Sequence, residues 1–545
     1  MGRRKVSLLA AFVLQLVHSA ALSQPLTVAE ASGFKRTSRL ADLEAFVGEL
    51  QRLSPRILVE QIAKSTEGRP VWMLILGDPP PASPREARLT GKPVVFVEAN
   101  IHAGEVEGKE ALQMLARDIL CGDKAHLLQN QILLFVPLLN PDGNERISPR
   151  NRRDQAGPEG GVGERNNGQD LDLNRDFTKV ESPEIRGVLR ALNEWDPVLF
   201  VDIHTTDGSR HRHVVTYDIP RNPDIDPSIT DYLRSRLMQQ VEQAMEQRYR
   251  SPVIPYGNFR VPGQPDSGWV TYDPFPRYGT NYVGLRNRFS ILVENYAYAP
   301  FEERVWGCYR FVASILEYTS SHGEEMLRLV READRHAAAR GPGREIALRF
   351  KETPCPEPIR ILSYRFAPDT SGDRGVRWRE TDQPAEYRVP YFGCVIPTAR
   401  VRLPRWYAFG PAFPEAAETL CRHGITVLRT LDSLRSPVEV FRLETLETGK
   451  LPYQGHWLLS VTGHYDTAQA VLPPNSYLVP TSQPLALLIA WLLEPESPDG
   501  LLVWNFFDRA LRPSEWSARL GNCPVVKGHS EIHVRTTLHC TDSAN

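Results

Sequence analysis

The chain has 545 residues, of which 41% are hydrophobic and 24% charged, a globular composition that excludes a mainly disordered or collagen-like chain. Lys and Arg total 64 against 66 Asp and Glu, a formal net charge of -2. The chain as a whole therefore offers no electrostatic reason to bind nucleic acid or an anionic membrane, and neither partner is expected.

Residues 1–23 have the features of a secretory signal peptide. A basic Arg-Arg-Lys start at 3–5 precedes a mostly apolar stretch at 7–17, and small residues follow at the positions expected before a cleavage site. The apolar stretch is too short to cross a bilayer as a mature helix. We predict cleavage near Ser23 and export to the periplasm or the extracellular space; an uncleaved anchor is the alternative.

Residues 35–325 show the alternation of strands and helices that is typical of an α/β domain. Apolar runs of strand length lie at 71–76, 94–99, 132–139, 198–203 and 290–293. Helical stretches lie at 107–119, 183–194 and 229–248. Strands separated by helices favour a mostly parallel sheet that is covered on both faces.

The remaining residues are predicted to form a second, smaller unit. A charged helix at 324–340 ends at Gly-Pro-Gly, so 326–354 is interpreted as helix and linker. We expect 355–545 to be an α+β accessory region, with a role that the sequence does not indicate. Its predicted elements are strands at 359–366 and 401–406 and helices at 414–423 and 485–493. The last is apolar but too short for a membrane span, so it should be a buried helix.

All seven cysteines follow the predicted cleavage site, and none forms a Cys-x-x-Cys pair. A zinc ribbon or thioredoxin-type site is therefore not expected. Export would permit disulfides. The odd number leaves at least one thiol without an intramolecular partner, and the pairing stays open.

A His-x-x-Glu motif follows the predicted strand 94–99. His102 and Glu105 stand where open α/β sheets place their ligands, outside the carboxyl ends of the strands. The apolar strand 198–203 leads directly into His204. Two histidines and one glutamate, with the fourth position left to water, are the ligands of a catalytic zinc site. Either histidine alone is better explained as a hydrogen-bonded core residue.

Glu294 follows the short apolar strand 290–293. A carboxylate at the end of a buried strand is costly unless it is paired or used. Facing a zinc-bound water, it could accept a proton. A structural ion pair with Arg286 or Arg288 is the alternative.

A polar segment between the candidate metal ligands is rich in arginine. Its motifs are Asn140-Pro-Asp-Gly143, Arg150-Asn-Arg-Arg153 and Asp170-Leu-Asp-Leu-Asn-Arg175. Arginine can bind a carboxylate through two hydrogen bonds and can stabilise an oxyanion. A basic surface loop is the alternative interpretation.

These motifs, taken together, resemble the zinc carboxypeptidase family of the carboxypeptidase A/B type, as a divergent, bacterial branch. The matching motifs, in the order of the family, are His102-x-x-Glu105, Asn140-Pro-Asp-Gly143, Asp172-Leu-Asn-Arg175, Asp202-x-His204 and Glu294. The resemblance covers about residues 35 to 320. It implies a mixed, mainly parallel eight-stranded sheet with helices on both faces, one bound zinc ion, and hydrolysis of C-terminal peptide bonds.

The resemblance also implies which residues carry the chemistry. His102, Glu105 and His204 would hold the zinc, and Glu294 would act as general base and acid. A further arginine would polarise the scissile carbonyl. Arg152 is the first candidate for it, with the neighbouring Arg150 and Arg153 as alternatives.

The substrate, a peptide or protein C-terminus, would be held by a second group of residues. Asn174 and Arg175 match the family's pair for the terminal carboxylate. Tyr272 lies 22 residues before Glu294 and is the first candidate for the mobile tyrosine that closes over substrate, with Tyr278 as the second.

Other interpretations stay open at this point. Glu294 is followed by Asn295 rather than the Leu-Arg that is common in digestive members. The same zinc ligands serve deacylases of N-acyl amino acids and peptidases that trim peptidoglycan stems, and an inactive zinc fold could act as a binding module. His211 with His213, or His464 with Asp466, could form other metal sites. The preferred C-terminal residue and the oligomeric state are not indicated.

Overall fold

The computed structural model describes residues 24–369, 377–511 and 520–540. The predicted signal peptide at 1–23 lies outside the described residues. No helix among those described is both long and apolar enough to cross a membrane.

The residues before position 300 are built around one large sheet. Their strands are β1 (Ile57–Lys64), β2 (Pro70–Leu76), β3 (Val94–Ala99), β4 (Ile132–Val136), β5 (Leu199–Thr206), β6 (Val215–Asp218), β7 (Ile254–Pro255), β8 (Asn258–Val261), β9 (Gln264–Val270) and β10 (Phe289–Tyr296). Eight of them form the sheet, in the order β1-β2-β4-β3-β5-β10-β6-β7. The central strands β4, β3, β5 and β10 are parallel, and β1, β2 and β6 pair antiparallel to their inner neighbours.

Helices cover both faces of this sheet. They are α1 (Val28–Ala31), α2 (Leu40–Leu53), α3 (Pro84–Thr90), α4 (Glu107–Cys121), α5 (Pro141–Glu145), α6 (Pro183–Trp195), α7 (Pro227–Tyr232), α8 (Met238–Tyr249) and α9 (Gly279–Leu285). Gly108 of α4 lies against Ile203 of β5, whereas Gly279 of α9 lies near Asp202. Because neighbouring residues of a strand point to opposite faces, α4 and α9 cover opposite faces.

The expected fold class is thus confirmed, and the differences lie at the ends of the strands. The central strands β3 and β4 are fully buried, and Glu98 is their one charged residue, in keeping with strands covered on both faces. β4 ends at Val136, before a proline at 137. β5 and β10 run further than predicted, so His204 and Glu294 lie within strands rather than beyond them.

A long helix, α10 (Phe301–Arg340), leads from this part of the chain into the C-terminal region. The strands that follow are β11 (Glu345–Thr353), β12 (Ile359–Asp369), β13 (Arg377–Val389), β14 (Tyr391–Phe392), β15 (Cys394–Arg402), β16 (Trp406–Phe409), β17 (Leu428–Thr430), β18 (Leu434–Thr448), β19 (Leu459–Leu472), β20 (Tyr477–Pro480), β21 (Asn522–Gly528) and β22 (Thr536–Leu538). The helices are α11 (Pro414–Arg422), α12 (Ala486–Leu493) and α13 (Asp508–Leu511). Seven of these strands form a second sheet, β19-β18-β21-β16-β20-β17-β22.

The structure contains the predicted helices and strands of the C-terminal region, with one exception. The helix α12 is buried along its whole length, as expected. The predicted strand at 401–406 is wrong, because the chain leaves β15 at Arg402 and begins β16 at Trp406, with a proline between them. Proline lacks the backbone donor that a continuous strand needs.

Two disulfides, which the sequence left unassigned, connect distant parts of the C-terminal region. Cys355 pairs with Cys394, and Cys421 of α11 pairs with Cys540. The three remaining thiols are Cys121, Cys308 and Cys523.

Candidate active site

Three metal-binding side chains meet at the carboxyl ends of β3 and β5. Nδ1 of His102 lies 3.2 Å from Nδ1 of His204, and the two Glu105 oxygens lie 3.0 and 3.1 Å from these nitrogens. All three residues are buried, and their ligand atoms lie within 4.8 Å of one another. Among the described residues this is the one cluster of three His, Cys, Asp or Glu side chains that could hold a metal ion.

A second carboxylate lies beside each histidine, and the one beside His102 has hydrogen-bond geometry. Nε2 of His102 lies 2.9 Å from Asp172, and Nε2 of His204 lies 2.9 Å from Asp202. When Nε2 donates its hydrogen, Nδ1 keeps its lone pair and faces the position between the three side chains where an ion would bind. A carboxylate behind each ligating histidine is the usual arrangement around bound metals, since it fixes the ring and raises its basicity.

Glu105 is held as a carboxylate by donors on both of its oxygens. The Thr205 backbone N–H donates to Oε2 at 2.9 Å and Arg152 donates to Oε1 at 2.9 Å. Burial opposes the charge, but His102, His204 and Arg152 hold the pKa of Glu105 well below its usual range. The side chain is therefore a charged, fixed ligand before any ion binds.

These residues fit a zinc ion. Zinc prefers nitrogen, sulfur and carboxylate ligands in a tetrahedron with bonds of about 2.0–2.2 Å, whose ligand atoms stand roughly 3.3 Å apart. The observed separations of 3.0 to 3.2 Å come close to that spacing. Two imidazoles and one carboxylate also leave the fourth position open, as catalytic zinc sites do.

Glu294 stands beside this cluster. It is aligned with His204 in the parallel pair β5 and β10, so the two side chains project from the same face of the sheet. Its Oε2 has no hydrogen-bond partner among the described residues. Burial of the carboxyl group raises its pKa to about 8, with His204 acting in the opposite direction. No ion pair with Arg286 or Arg288, the alternative considered from sequence, occurs among the described contacts; those arginines bind other partners.

Asn174 and Arg175 lie next to the metal ligands, on the turn after Asp172. Asn174 reaches His204 Nε2 at 3.2 Å, and its Oδ1 accepts from the Gly279 N–H at 2.9 Å. Arg175 donates from Nη1 to the Asn174 carbonyl at 2.9 Å, and its side chain is 22% exposed. This guanidinium is thus held in place and still open to solvent.

Two arginines, rather than one, contact the ligand carboxylate. Arg152 uses all its nitrogens on protein acceptors, namely Glu105, the Thr205 carbonyl and Gln155. Arg165 donates twice to Asp172 and lies 3.4 Å from Glu105, with 43% of its side chain exposed. Arg165 was not predicted from the sequence, although it lies in the same arginine-rich segment, seven residues before Asp172.

The two candidate tyrosines occupy different places. Tyr272 packs on Arg221 and on the Tyr278 ring, 5.0 Å away in each case. Tyr278 lies over the Arg175 guanidinium at 4.7 Å. Of the two, Tyr278 is therefore the one in contact with the proposed carboxylate anchor.

The C-terminal region also reaches the site, which the sequence did not indicate. The Tyr453 hydroxyl accepts from Arg175 Nε at 2.9 Å. Gln454 Oε1 accepts from the backbone N–H of Asp172 at 2.8 Å. Both residues come from the connection between β18 and β19, more than 270 residues away in sequence.

The other candidate metal sites are structural or exposed. His211 stacks on Tyr296 at 4.0 Å. His213 donates to the Pro252 carbonyl and accepts from Leu362, and burial lowers its pKa to about 4. His464, on the surface, pairs with Glu444 and lies 3.6 Å from Asp466. Neither pair forms part of a three-ligand cluster among the described residues.

Comparison with known proteins agrees with this geometry. The model of the family described as zinc carboxypeptidase matches residues 43–260. This part of the chain is similar to the zinc carboxypeptidase family. The match contains His102, Glu105 and His204 and ends before Glu294.

Individual relatives extend the similarity. Mouse carboxypeptidase D is 28% identical over 272 residues, which are 46% of this chain but 18% of the mouse protein. Carboxypeptidase 2 of Trichophyton rubrum is 22% identical over 507 residues, 89% of this chain and 87% of the fungal one. A putative carboxypeptidase structure from Burkholderia mallei aligns with a TM-score of 0.39 and 18% identity, covering 52% of this chain and 69% of that one. The chain thus spans under a fifth of its mouse relative and most of its fungal one.

Proposed function

We propose that the protein is a zinc-dependent metallocarboxypeptidase that hydrolyses C-terminal peptide bonds. The observation that carries the proposal is the convergence of His102, Glu105 and His204, with the unpartnered Glu294 carboxylate on the same face. The match of residues 43–260 to the zinc carboxypeptidase family supports it. Zinc bound by the three ligands would polarise the scissile carbonyl and lower the pKa of a bound water to about 7.

Glu294 is proposed as the proton carrier. Its Oε2 is free to accept a hydrogen, and a general base works best with a pKa near the working pH, which a value of about 8 meets. It would take the proton from the attacking water and pass it to the leaving amine. One residue would thus serve both halves of the reaction.

Carboxylate binding, oxyanion stabilisation and positioning of Glu105 are proposed for the neighbouring arginines. Asn174 and Arg175 would bind the terminal carboxylate, because a charged guanidinium N–H donates a strong hydrogen bond to a carboxylate oxygen. Exposure favours Arg165 for the oxyanion role for which Arg152 was the first candidate, since 43% of the Arg165 side chain is open to solvent against 14% of the Arg152 side chain. Arg152 would instead be a positioning residue that fixes Glu105.

The place of action is proposed to be outside the cytoplasm. The signal-like start of the sequence supports this, and so do the two disulfides, which form and persist in oxidising compartments. N-terminal sequencing of the mature protein should begin near Gln24; a mature chain that starts at Met1 would contradict export by cleavage.

The test of the activity is a screen of N-blocked dipeptides that end in acidic, basic or apolar residues, with and without a chelator. We expect at least one class to be hydrolysed, loss of activity with chelator, and recovery when zinc is restored. Release of the N-acyl group instead would favour the deacylase. Cleavage only of stem-type peptides would favour the peptidoglycan enzyme, and no hydrolysis at all would favour a binding module.

A further inference from the structure

A tight turn of the C-terminal region lies against the segment that carries Asn174 and Arg175. It connects β18 to β19 and contains Tyr453, Gln454, Gly455 and His456. Tyr453 and His456 exchange two backbone hydrogen bonds of 2.8 and 3.0 Å. The two central residues have positive φ, 52° at Gln454 and 80° at Gly455, as a type I′ turn requires. A glutamine in that conformation costs free energy, which its contacts must offset.

The turn contacts the segment that carries Asn174 and Arg175 at three points. Gln454 accepts from the Asp172 N–H at 2.8 Å, and Tyr453 accepts from Arg175 Nε at 2.9 Å. His456 Nε2 lies 2.9 Å from Glu181. All three partners belong to one stretch of ten residues, 172–181. The turn is therefore positioned by the very segment that would bind substrate.

The Tyr453 ring is held from the other side as well. It stacks on Trp504 with ring centroids 6.2 Å apart, and the Arg277 guanidinium lies 5.7 Å from its centre. Arg277 is itself paired with the buried Asp499 at 3.1 Å. Tyr453 is thus a fixed part of the wall beside Arg175 rather than a freely rotating surface side chain.

The hydroxyl of Tyr453 has a hydrogen left to donate. Arginine offers only donors, so in the contact with Arg175 Nε the phenol oxygen must accept. No acceptor for the hydroxyl hydrogen occurs among the described residues, and Arg175 Nη2 likewise has no partner there. A phenol hydrogen and a guanidinium N–H therefore stand side by side, which is a donor pair for the two oxygens of one carboxylate.

We propose that Tyr453, supplied by the C-terminal region, completes the subsite for the terminal carboxylate of a peptide, one oxygen bound by Arg175 and the other by the Tyr453 hydroxyl. The inference rests on the proposed function for its substrate class. It gives the C-terminal region a role in substrate selection. The turn would close the site beyond the bound carboxylate and so favour peptides whose C-terminus lies at that point.

The test is a binding measurement on the full-length, zinc-loaded protein carrying Glu294→Gln, so that peptide is bound and not consumed. Titration calorimetry would compare an N-blocked dipeptide acid with its C-terminal amide, before and after Tyr453→Phe, which keeps the ring. Loss of a hydrogen bond to a charged group should weaken binding of the acid roughly 10- to 100-fold and leave the amide unchanged. The matched control is Tyr309→Phe, whose hydroxyl bonds Asp118 on the other side of the domain; it should bind both ligands as the parent does.

Two results would overturn the inference: acid binding within twofold of the parent, or equal losses for acid and amide. Unchanged thermal unfolding of Tyr453→Phe would exclude a folding defect as the cause of a loss. The same change in the active protein should raise KM for acids with little effect on kcat. Tyr453-dependent acid binding in a protein that hydrolyses no C-terminal bond would leave the inference standing and remove the proposed reaction. C-terminal hydrolysis that is unaffected by Tyr453→Phe would leave the proposed reaction standing and overturn the inference.

Discussion

The proposed metal-binding half and the proposed substrate-binding half of the site are built in different ways. The metal half consists of residues at the ends of adjacent parallel strands, and each has a polar neighbour in the same domain. The carboxylate-binding half lies on a turn, and its arginine is contacted by a tyrosine from the C-terminal region. The sheet thus holds the ligands that any zinc hydrolase needs, while loops from two regions would decide which substrate fits.

The same difference explains what could be predicted. His102 and Glu105 follow an apolar strand, and His204 and Glu294 lie near the carboxyl ends of two others, so the pattern of apolar runs places all four at one edge of the sheet. The ends of those strands were less well predicted, because polar residues such as His204 pair inside the sheet when they serve a site.

The carboxylate half was only partly predicted. Asn174 and Arg175 were found through the family motif, but Arg165 looked like any other arginine of a basic loop. Tyr453 and Gln454 could not be found, since a Gln-Gly turn between two strands predicts a hairpin and says nothing about where that hairpin docks. Their partners lie 278 and 282 residues earlier in the chain.

The largest effect should follow from removing a metal ligand. His102→Ala leaves two ligands, so we expect loss of bound zinc together with essentially all activity. Elemental analysis after dialysis measures the metal directly. His126→Ala, an exposed histidine of the same domain, is the control and should keep both. Stoichiometric zinc in the His102 variant would show that the metal half is wrongly assigned.

Glu294→Gln should separate chemistry from metal binding. The amide cannot accept the proton of the attacking water, so turnover should fall about 10²–10⁴-fold while zinc stays bound. Steady-state kinetics and metal analysis on one preparation give the turnover and the zinc content. Glu60→Gln makes the same change in β1, away from the site, and should be neutral. A Glu294 variant with near-normal turnover would exclude this residue as the base.

Arg175→Ala should damage the carboxylate half alone. Losing a charged hydrogen-bond donor to the carboxylate should reduce kcat/KM for free-acid peptides by roughly 10–100-fold or more, with zinc content unchanged. C-terminally amidated peptides, which lack the charge, serve as the internal control and should change little. Equal losses on acids and amides would remove Arg175 from carboxylate binding and favour the deacylase or binding-module interpretation.

A smaller effect, on stability, should come from the contact between the α/β domain and the C-terminal region. His423, at the end of α11, is buried against Tyr282 and the Thr178 carbonyl, and burial lowers its pKa to about 3. The folded protein thus keeps it neutral, whereas the unfolded chain binds a proton below about pH 6.5. The stability that depends on this group is complete above that pH and is lost as the pH falls towards 3.

Between pH 7 and pH 5, proton binding by the unfolded chain lowers the free energy of unfolding by about 2 kcal/mol. His423→Gln should therefore flatten the fall of the urea midpoint over that range, although it lowers the midpoint at pH 7. His126→Gln, on the surface, should follow the wild-type profile. If the His423 variant shows the wild-type slope, the buried neutral histidine does not account for acid sensitivity at this contact.

The most direct test of the whole account is the mass of the products that the zinc-loaded protein releases from a blocked peptide with a free C-terminus. We expect loss of a single C-terminal residue, abolished by chelator, restored by zinc, and far slower on the amidated peptide. An internal cut, release of the blocking acyl group, or cleavage of acid and amide at equal rates would contradict it.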